Sequence, residues 1–414
     1  MSTTPTLPDL FRVFGRIGIL SFGGPAAQIS LMHRELVDRT GWIKEEQFLG
    51  ALSFCMFLPG PEAMQLATYA GWKLRGVPGG LIGGLLFVLP GALTISLLAY
   101  LYIAFGSVPA VEAAFLGIQA TVIAIIVQAM FRLSFKVLNG ALNLIVAALS
   151  FLCLYTGLLP FPAVILLAGV LGALLAQPEV SSDAPASPMH NRPLSTVLTW
   201  AGLWAAPILL VWMLDHQFLL TLALFFSKLA VVTFGGAYAV LAYMVQAVVN
   251  DYQWLETAQM MDALGLAETT PGPLILVTQF TGILAGNAQG GLSLAILAGL
   301  LTLWCTFTPC FLWIFSAAPY VENLLSQPRL TGALKMISAA VLGVIANLSL
   351  WFAMHFLFDE VSQTVFGAVP KLDSFAMMPA FLAGVAALLL LALRLPLLAT
   401  LAAMAVLATG ISLT

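Results

Sequence analysis

Apolar runs of about 20 residues recur along this chain, each long enough to cross a hydrocarbon core of about 30 Å as a helix. About 13 such segments can be drawn. Six cover 10–31, 47–72, 77–105, 110–131, 138–158 and 160–177. A seventh covers 196–214, and six more cover 218–246, 257–285, 290–317, 329–355, 372–393 and 395–413. Between the sixth and seventh lies a polar stretch, Gln177 to Pro188, that cannot bury enough apolar surface to order itself. The pattern predicts an all-α polytopic membrane protein. A β-barrel would show short alternating strands instead.

The pattern also repeats. Residues 14–61 answer to 226–273 without a gap. Ser21-Phe22-Gly23-Gly24 matches Thr233-Phe234-Gly235-Gly236, and Pro59-Gly60-Pro61 matches Pro271-Gly272-Pro273, each pair 212 positions apart. Trp42 matches Trp254 and Gln47 matches Gln259. Farther on the register slips by seven, so that Pro90 answers to Pro309 and Pro109 to Pro328. The expected organisation is a first transporter repeat over 1–177, a cytoplasmic linker and one unpaired helix over 178–217, and a second repeat over 218–414. Duplication in so apolar a chain points to a transporter, because such folds place substrate near mid-bilayer where the repeats meet.

An odd segment between even-numbered repeats starts the second copy from the opposite face, so the repeats are expected to be inverted. Lys73 and Arg75 follow segment two, whereas Gly286-Asn287 in the second copy carries no charge. Arg132 and Lys136 follow segment four, whereas its counterpart carries Asp359 and Glu360. Basic loops stay cytoplasmic, so both comparisons place equivalent loops on opposite faces. The loop 33–46, with Arg34, Arg39 and Lys44, obeys the rule only if segments 10–31 and 47–72 are re-entrant. Either course puts the N-terminus in the cytoplasm and the C-terminus in the periplasm.

Composition narrows the function. Hydrophobic residues make up 61 % and charged residues 8 %, against roughly 45–50 % and roughly 25 % in soluble domains. The net charge of -3, with no basic tract, gives no reason to expect nucleic acid. Cys55, Cys153, Cys305 and Cys310 form no CxxC, and the four histidines are scattered, so no metal, haem or other cofactor is expected. No P-loop pattern is present, and the first segment lacks the marks of a cleavable leader.

Candidate chemistry gathers at the Gly and Pro motifs. Proline lacks an N–H and glycine adds backbone freedom, so 23–25, 59–61, 235–236 and 271–273 should interrupt helices. Interrupted backbone at membrane depth is tolerated where it is buried or lines a wet cavity, and each new helix N-terminus favours an anion. Close packing or a simple kink is the competing explanation for each motif. Arg16 and its mate Lys228 precede the two Gly-Gly pairs. A cation there would face a cavity, and an Arg fork suits an oxyanion. Arg12 lies one turn before Arg16 and can equally snorkel to the interface. Gln65, Thr68 and Tyr69 follow the first Pro-Gly-Pro; Thr269 and Thr270 precede the second, with Thr278, Gln279 and Thr281 after it. These groups can replace water around an oxyanion or join helices. Glu62 and Glu268 flank the two motifs and are candidates for ion coupling or for structural ion pairs.

The run Phe14-Gly15-Arg16-Ile17-Gly18, Ser21-Phe22-Gly23-Gly24-Pro25, then Leu58-Pro59-Gly60-Pro61 with Gln65-Leu66-Ala67, Tyr69 and Gly71, resembles the chromate ion transporter (CHR) family in its long, two-domain form. The second copy, Thr233-Phe234-Gly235-Gly236 and Thr270-Pro271-Gly272-Pro273, carries the same resemblance. Ala237 stands where the first copy has Pro25, so the two sites need not be equivalent. The resemblance implies chromate efflux across a bacterial inner membrane, chromate resistance, and duplicated domains of opposite orientation. Sulfate, with the same shape and charge, is the rival substrate, and protons are a candidate coupling ion. A membrane-embedded chromate reductase is the rival of another class. A homo-oligomer is compatible with this reading.

Overall fold

The computed structural model describes residues 5–176, 193–234, 237–321, 327–364 and 367–412. Gly235, Gly236 and the linker up to residue 192 lie outside the described residues. The helices are α1 (Leu7–Leu20), α2 (Gly24–His33), α3 (Glu45–Phe57), α4 (Glu62–Phe105), α5 (Pro109–Val137), α6 (Ala141–Tyr155), α7 (Phe161–Leu175) and α8 (Pro193–Met213). The second copy continues with α9 (Gln217–Val232), α10 (Ala237–Gln246), α11 (Thr257–Thr269), α12 (Val277–Ala317), α13 (Pro328–Leu357), α14 (Met377–Ala387) and α15 (Leu397–Ser412). An antiparallel hairpin, β1 (Val361–Thr364) with β2 (Gly367–Pro370), pairs Val361 with Pro370 in the stretch between two apolar segments.

Among the described residues, stretches of α4, α5, α8, α12 and α13 are long and apolar enough to cross a membrane. Large apolar side chains such as Leu93, Leu166, Leu174, Met213 and Val406 point outward. Water would not tolerate so much exposed hydrocarbon, and lipid does. The molecule is a helical, multi-pass membrane protein.

The chain forms two compact units. The first gathers 1–99, 177–237 and 267–331; the second gathers 100–176, 238–266 and 332–414. Each draws on both copies of the repeat.

In the first unit the chain doubles back repeatedly. The rings of Phe54 and Tyr69 lie 5.7 Å apart, although a continuous helix would separate these positions by about 22 Å at ~1.5 Å per residue. The chain therefore reverses at Leu58–Pro61. Arg16 lies 3.7 Å from Glu35, where a straight path would hold them about 28 Å apart. Helix α1 and the segment after α2 thus also fold back on each other. With 14 residues, α1 spans only about 21 Å, short of a full crossing.

Helix α4 turns sharply at Arg75 and Gly76, where Gly76 has φ 62° and ψ −153°. Its two limbs form a hairpin so close that a Cβ on Gly71 would strike the carbonyl of Gly79, and one on Gly83 the carbonyl of Ala67. Small residues permit this backbone approach, the usual basis of helix contact in lipid. Helix α12 repeats the device. It turns at Gly290 and Gly291 (φ 70°, ψ −165°), and Gly286 and Gly282 meet the backbone of Leu294 and Ala298.

These hairpins locate part of the register slip. Gly71 facing Gly79 corresponds to Gly286 facing Leu294, an offset of 215 rather than 212. The three additional residues are the short 3₁₀ turn Leu274–Leu276, inserted between Pro273 and α12. In the first copy α4 begins directly after Pro61. Helix α8, the unpaired segment, lies against α9 and α12: Trp204 donates to Ser227 at 3.2 Å, and Trp200 stacks on Phe311 at 5.6 Å.

In the second unit α5 packs on α15, with Gly117 against the Met404 carbonyl, and on α11, with Gly265 against Ile118. Helix α13 packs on α7 through Gly332 and Gly172, and on α6 through Gly343 and Ala147.

Candidate functional site

The motifs at 23–25, 59–61 and 271–273 end helices; 235–236 lies outside the described residues. Helix α1 stops at Leu20, and an inverse γ-turn at Ser21 (φ −78°, ψ 65°) hands the chain to Gly23 and Gly24, both in left-handed conformation at φ 88° and 78°. Helix α9 ends the same way at Thr233, whose hydroxyl donates to Leu229 O at 2.6 Å as Ser21 donates to Ile17 O at 2.6 Å. Gly60 (φ 123°) and Gly272 (φ 86°) turn the chain at the two Pro-Gly-Pro motifs. An L side chain resists these angles, which explains glycine at both.

The interruptions are tied to each other. The amide of Gly60 donates to Thr233 O at 2.8 Å, and that of Gly272 donates to Ser21 O at 2.9 Å. Gly60 and Gly272 are repeat mates, as are Ser21 and Thr233, so the two bonds are the same bond made in both directions. Each joins the second interruption of one copy to the first interruption of the other. These two amides are thereby committed to the scaffold, and the first turns of the helices that begin at the breaks keep the free N–H groups of a helix start. Glu62 already occupies the first turn of α4, whereas α2 begins with Gly24 and Pro25 and carries no acidic residue there. The start of α2 is the better anion end.

Three buried glutamines line this region. Gln28 donates to Gly272 O at 2.7 Å and to Ser21 O at 3.4 Å, capping one tie. Gln65 donates to Pro59 O at 2.7 Å. Gln279 donates to the Ser96 hydroxyl at 2.8 Å. In each, the side-chain carbonyl oxygen is buried without a hydrogen-bond partner. Gln65 and Gln28 thus bond to backbone of the interruptions, whereas Gln279 bonds to α4 at Ala92 O and Ser96. Thr270 is buried and bonds back to Ala267 O, Pro271 lies against Gly91, and Pro273 is buried beside the 3₁₀ turn. Pro59, Pro61 and Phe234 are half-buried and Phe22 is exposed.

The cations stand apart from this buried centre. Leu10, Phe14 and Ile17 form the buried face of α1, and Arg12 and Arg16 lie on its exposed face. An open groove of about 960 Å³ runs there, lined by Phe11, Arg12, Arg16, Ile19 and Ile82 among others. Glu35 is 2 % exposed and receives Arg39 at 2.9 Å as well as Arg16 at 3.7 Å. Sequence reasoning passed over Glu35, because nothing local distinguishes it from the neighbouring loop charges. Lys228 also lies on the exposed side of its helix. Glu62 is half-buried and Glu268 buried. Among the described residues no group of His, Cys, Asp and Glu could hold a metal ion.

Comparison with known proteins agrees with this architecture. The chromate transporter family matches residues 8–173 and again 220–409, one region for each copy. A chromate transport protein of Pseudomonas aeruginosa is 31 % identical over 350 residues, covering 82 % of this chain and 79 % of its own. A chromate transport protein of Cupriavidus metallidurans is 29 % identical over 373 residues, covering 86 % of this chain and 85 % of its own. A shorter uncharacterized transporter of Bacillus subtilis, YwrA, is 34 % identical over 113 residues, or 27 % of this chain and 64 % of its own. No solved structure matches the chain. The chain belongs to the chromate transporter family, and is a transport protein rather than an enzyme.

Proposed function

We propose that this protein is a secondary transporter that exports chromate across the bacterial inner membrane and so confers chromate resistance. The reciprocal tie between the interrupted helices carries the reading. It builds one shared centre from both copies, as expected where inverted repeats hold substrate between them. In this reading the N-terminus is cytoplasmic and the C-terminus periplasmic. Arg16 and Lys228 draw the dianion in from the exposed faces of their helices, and the backbone at 22–25, 59–61, 234–236 and 270–273 receives it. Gln65 and Gln279 fix its orientation.

The energetics favour export. A charge leaving a negative-inside cell gains roughly 2.3 kcal/mol per 100 mV, so a dianion gains roughly 4.6 kcal/mol. That supports about a thousandfold gradient at ~1.4 kcal/mol per decade. The test is chromate flux in proteoliposomes. Arg16→Ala and Lys228→Ala should each slow it at least tenfold; unchanged flux in both removes these residues from the mechanism. Sulfate that competes equally in the same vesicles would replace chromate as the substrate.

A further inference from the structure

We propose that Asp262, held by Tyr102 and Gln119, is a proton-binding site whose occupancy is coupled to transport. The proposal rests on the transport reading and adds to it a coupling ion and a residue outside the interrupted motifs. Asp262 lies on α11 and is 4 % exposed. The Tyr102 hydroxyl donates to its Oδ2 at 2.8 Å, and the Gln119 amide donates to its Oδ1 at 2.8 Å. Both donors are neutral. Among the described residues no lysine, arginine or histidine forms an ion pair with Asp262. Titratable groups near the cluster in sequence on the packed elements include Glu112 of α5 and Glu256 just ahead of α11, both acidic. Ile118 and Val122 of α5 close the site on the next turn, against Gly265.

A buried carboxylate with no cation beside it is costly to keep ionised, and a single proton removes that cost. This site accommodates either state. Ionised, Asp262 accepts from both Tyr102 and Gln119. Protonated, it still accepts from Gln119 through Oδ1, while its own Oδ2–H donates to the Tyr102 oxygen, whose hydrogen rotates away. On loading, one proton passes from water to Oδ2, and on unloading the same proton returns to water, with no other bond formed or broken. Intramembrane acids of this kind mark proton relays. Helix α11, which carries Asp262, ends at Thr269, directly before the interruption at 270–273 in sequence. The residue of the first copy that answers to Asp262 is Gly50. The duplicated chain therefore carries this site once.

The experiment uses the full chain in proteoliposomes containing a pH-sensitive dye, with chromate flux and proton movement recorded together. Wild-type flux should be accompanied by proton movement. Asp262→Asn, which mimics the protonated acid, should lower the ratio of protons to chromate at least tenfold and flatten the pH dependence of the rate. Asp262→Glu should keep coupling with a displaced pH profile, and Tyr102→Phe should displace it as well. Wild-type chromate flux without protons, or an unchanged ratio in Asp262→Asn, overturns the proposal. If Asp262→Asn does not purify as a monodisperse protein, an unmoved pH profile in both other variants overturns it equally. Absence of any wild-type chromate flux counts against the substrate assignment instead, and the same measurements with sulfate then decide on Asp262.

Discussion

Gly272→Ala attacks the cross-tie at its narrowest point. Gly272 has φ 86°, and forcing an L residue into left-handed backbone costs about 1–2 kcal/mol. The added Cβ would sit 3.1 Å from Phe87 O and 3.3 Å from Leu276 Cδ1. A carbonyl cannot move aside as a side chain end can, so overpacking adds about 1 kcal/mol. If the turn relaxes instead, the bond from Gly272 to Ser21 O is lost, at about 1 kcal/mol. The sum is about 2–3 kcal/mol, or roughly 30- to 140-fold in the population of the tied state at ~1.4 kcal/mol per decade. Gly60→Ala should be at least as costly, because φ 123° lies outside the left-handed region open to an L residue and the new Cβ meets Gln65 and Cys310. Gly41→Ala is the control, with positive φ but open space around it. The assay pairs chromate flux per folded protein with thermal unfolding in detergent. Gly272→Ala should lose both flux and stability, and Gly41→Ala should keep flux and lose only the backbone term of about 1–2 kcal/mol. Wild-type flux and melting in Gly272→Ala would refute the claim that the tie holds the centre together.

Three further outcomes follow from the packing and charge. Gly71→Ala should destabilise by about 1–3 kcal/mol through its clash with the Gly79 carbonyl, whereas Gly50→Ala, in open space on α3, should gain up to about 1 kcal/mol of helix propensity; detergent melting curves compare the two. Gln28→Ala strips the donor from the Gly272 carbonyl and should cost about 1–3 kcal/mol, read in the same melts. His33, between the two folded-back segments and outside the membrane-spanning helices, has its pKa raised chiefly by its 2.5 Å bond to Glu45. A raised folded-state pKa gives stability that is complete below the ordinary histidine value of about 6.5 and lost as pH rises through the raised one. The wild type should therefore lose stability over that interval above about 6.5, and Glu45→Gln should shrink the loss.

Much of the architecture was legible in the residues. Gly-Gly-Pro and Pro-Gly-Pro told where helices end, because a missing N–H and a left-handed turn act locally. They could not tell which way the chain leaves. The reversal at Leu58–Pro61 shows only through Phe54 meeting Tyr69, a contact across the break. The sequence located the turns near residues 75 and 290 from Lys73, Arg75 and the Gly286-Asn287 gap. The three-residue insertion at Leu274–Leu276 stayed hidden inside an apolar run, where no polar residue marks it. Gln65 and Gln279 were found by their nearness to the motifs. Gln28 and Asp262 were missed because their partners are distant in sequence: Gly272 for the first, Tyr102 and Gln119 for the second. Arg16 was singled out as a lone cation, and its carboxylate partner Glu35 emerges only once α1 and the turn after α2 lie side by side.

Because the Gly60 amide finds its acceptor at Thr233 and the Gly272 amide at Ser21, neither half of the gene product can close its own ring. A severed N-terminal piece would keep one donor and one acceptor, each waiting for a stranger. Fusion on a single polypeptide turns that meeting into an intramolecular event. Chains cut within the linker and co-expressed should consequently find one another, while either fragment alone should be cleared as misassembled.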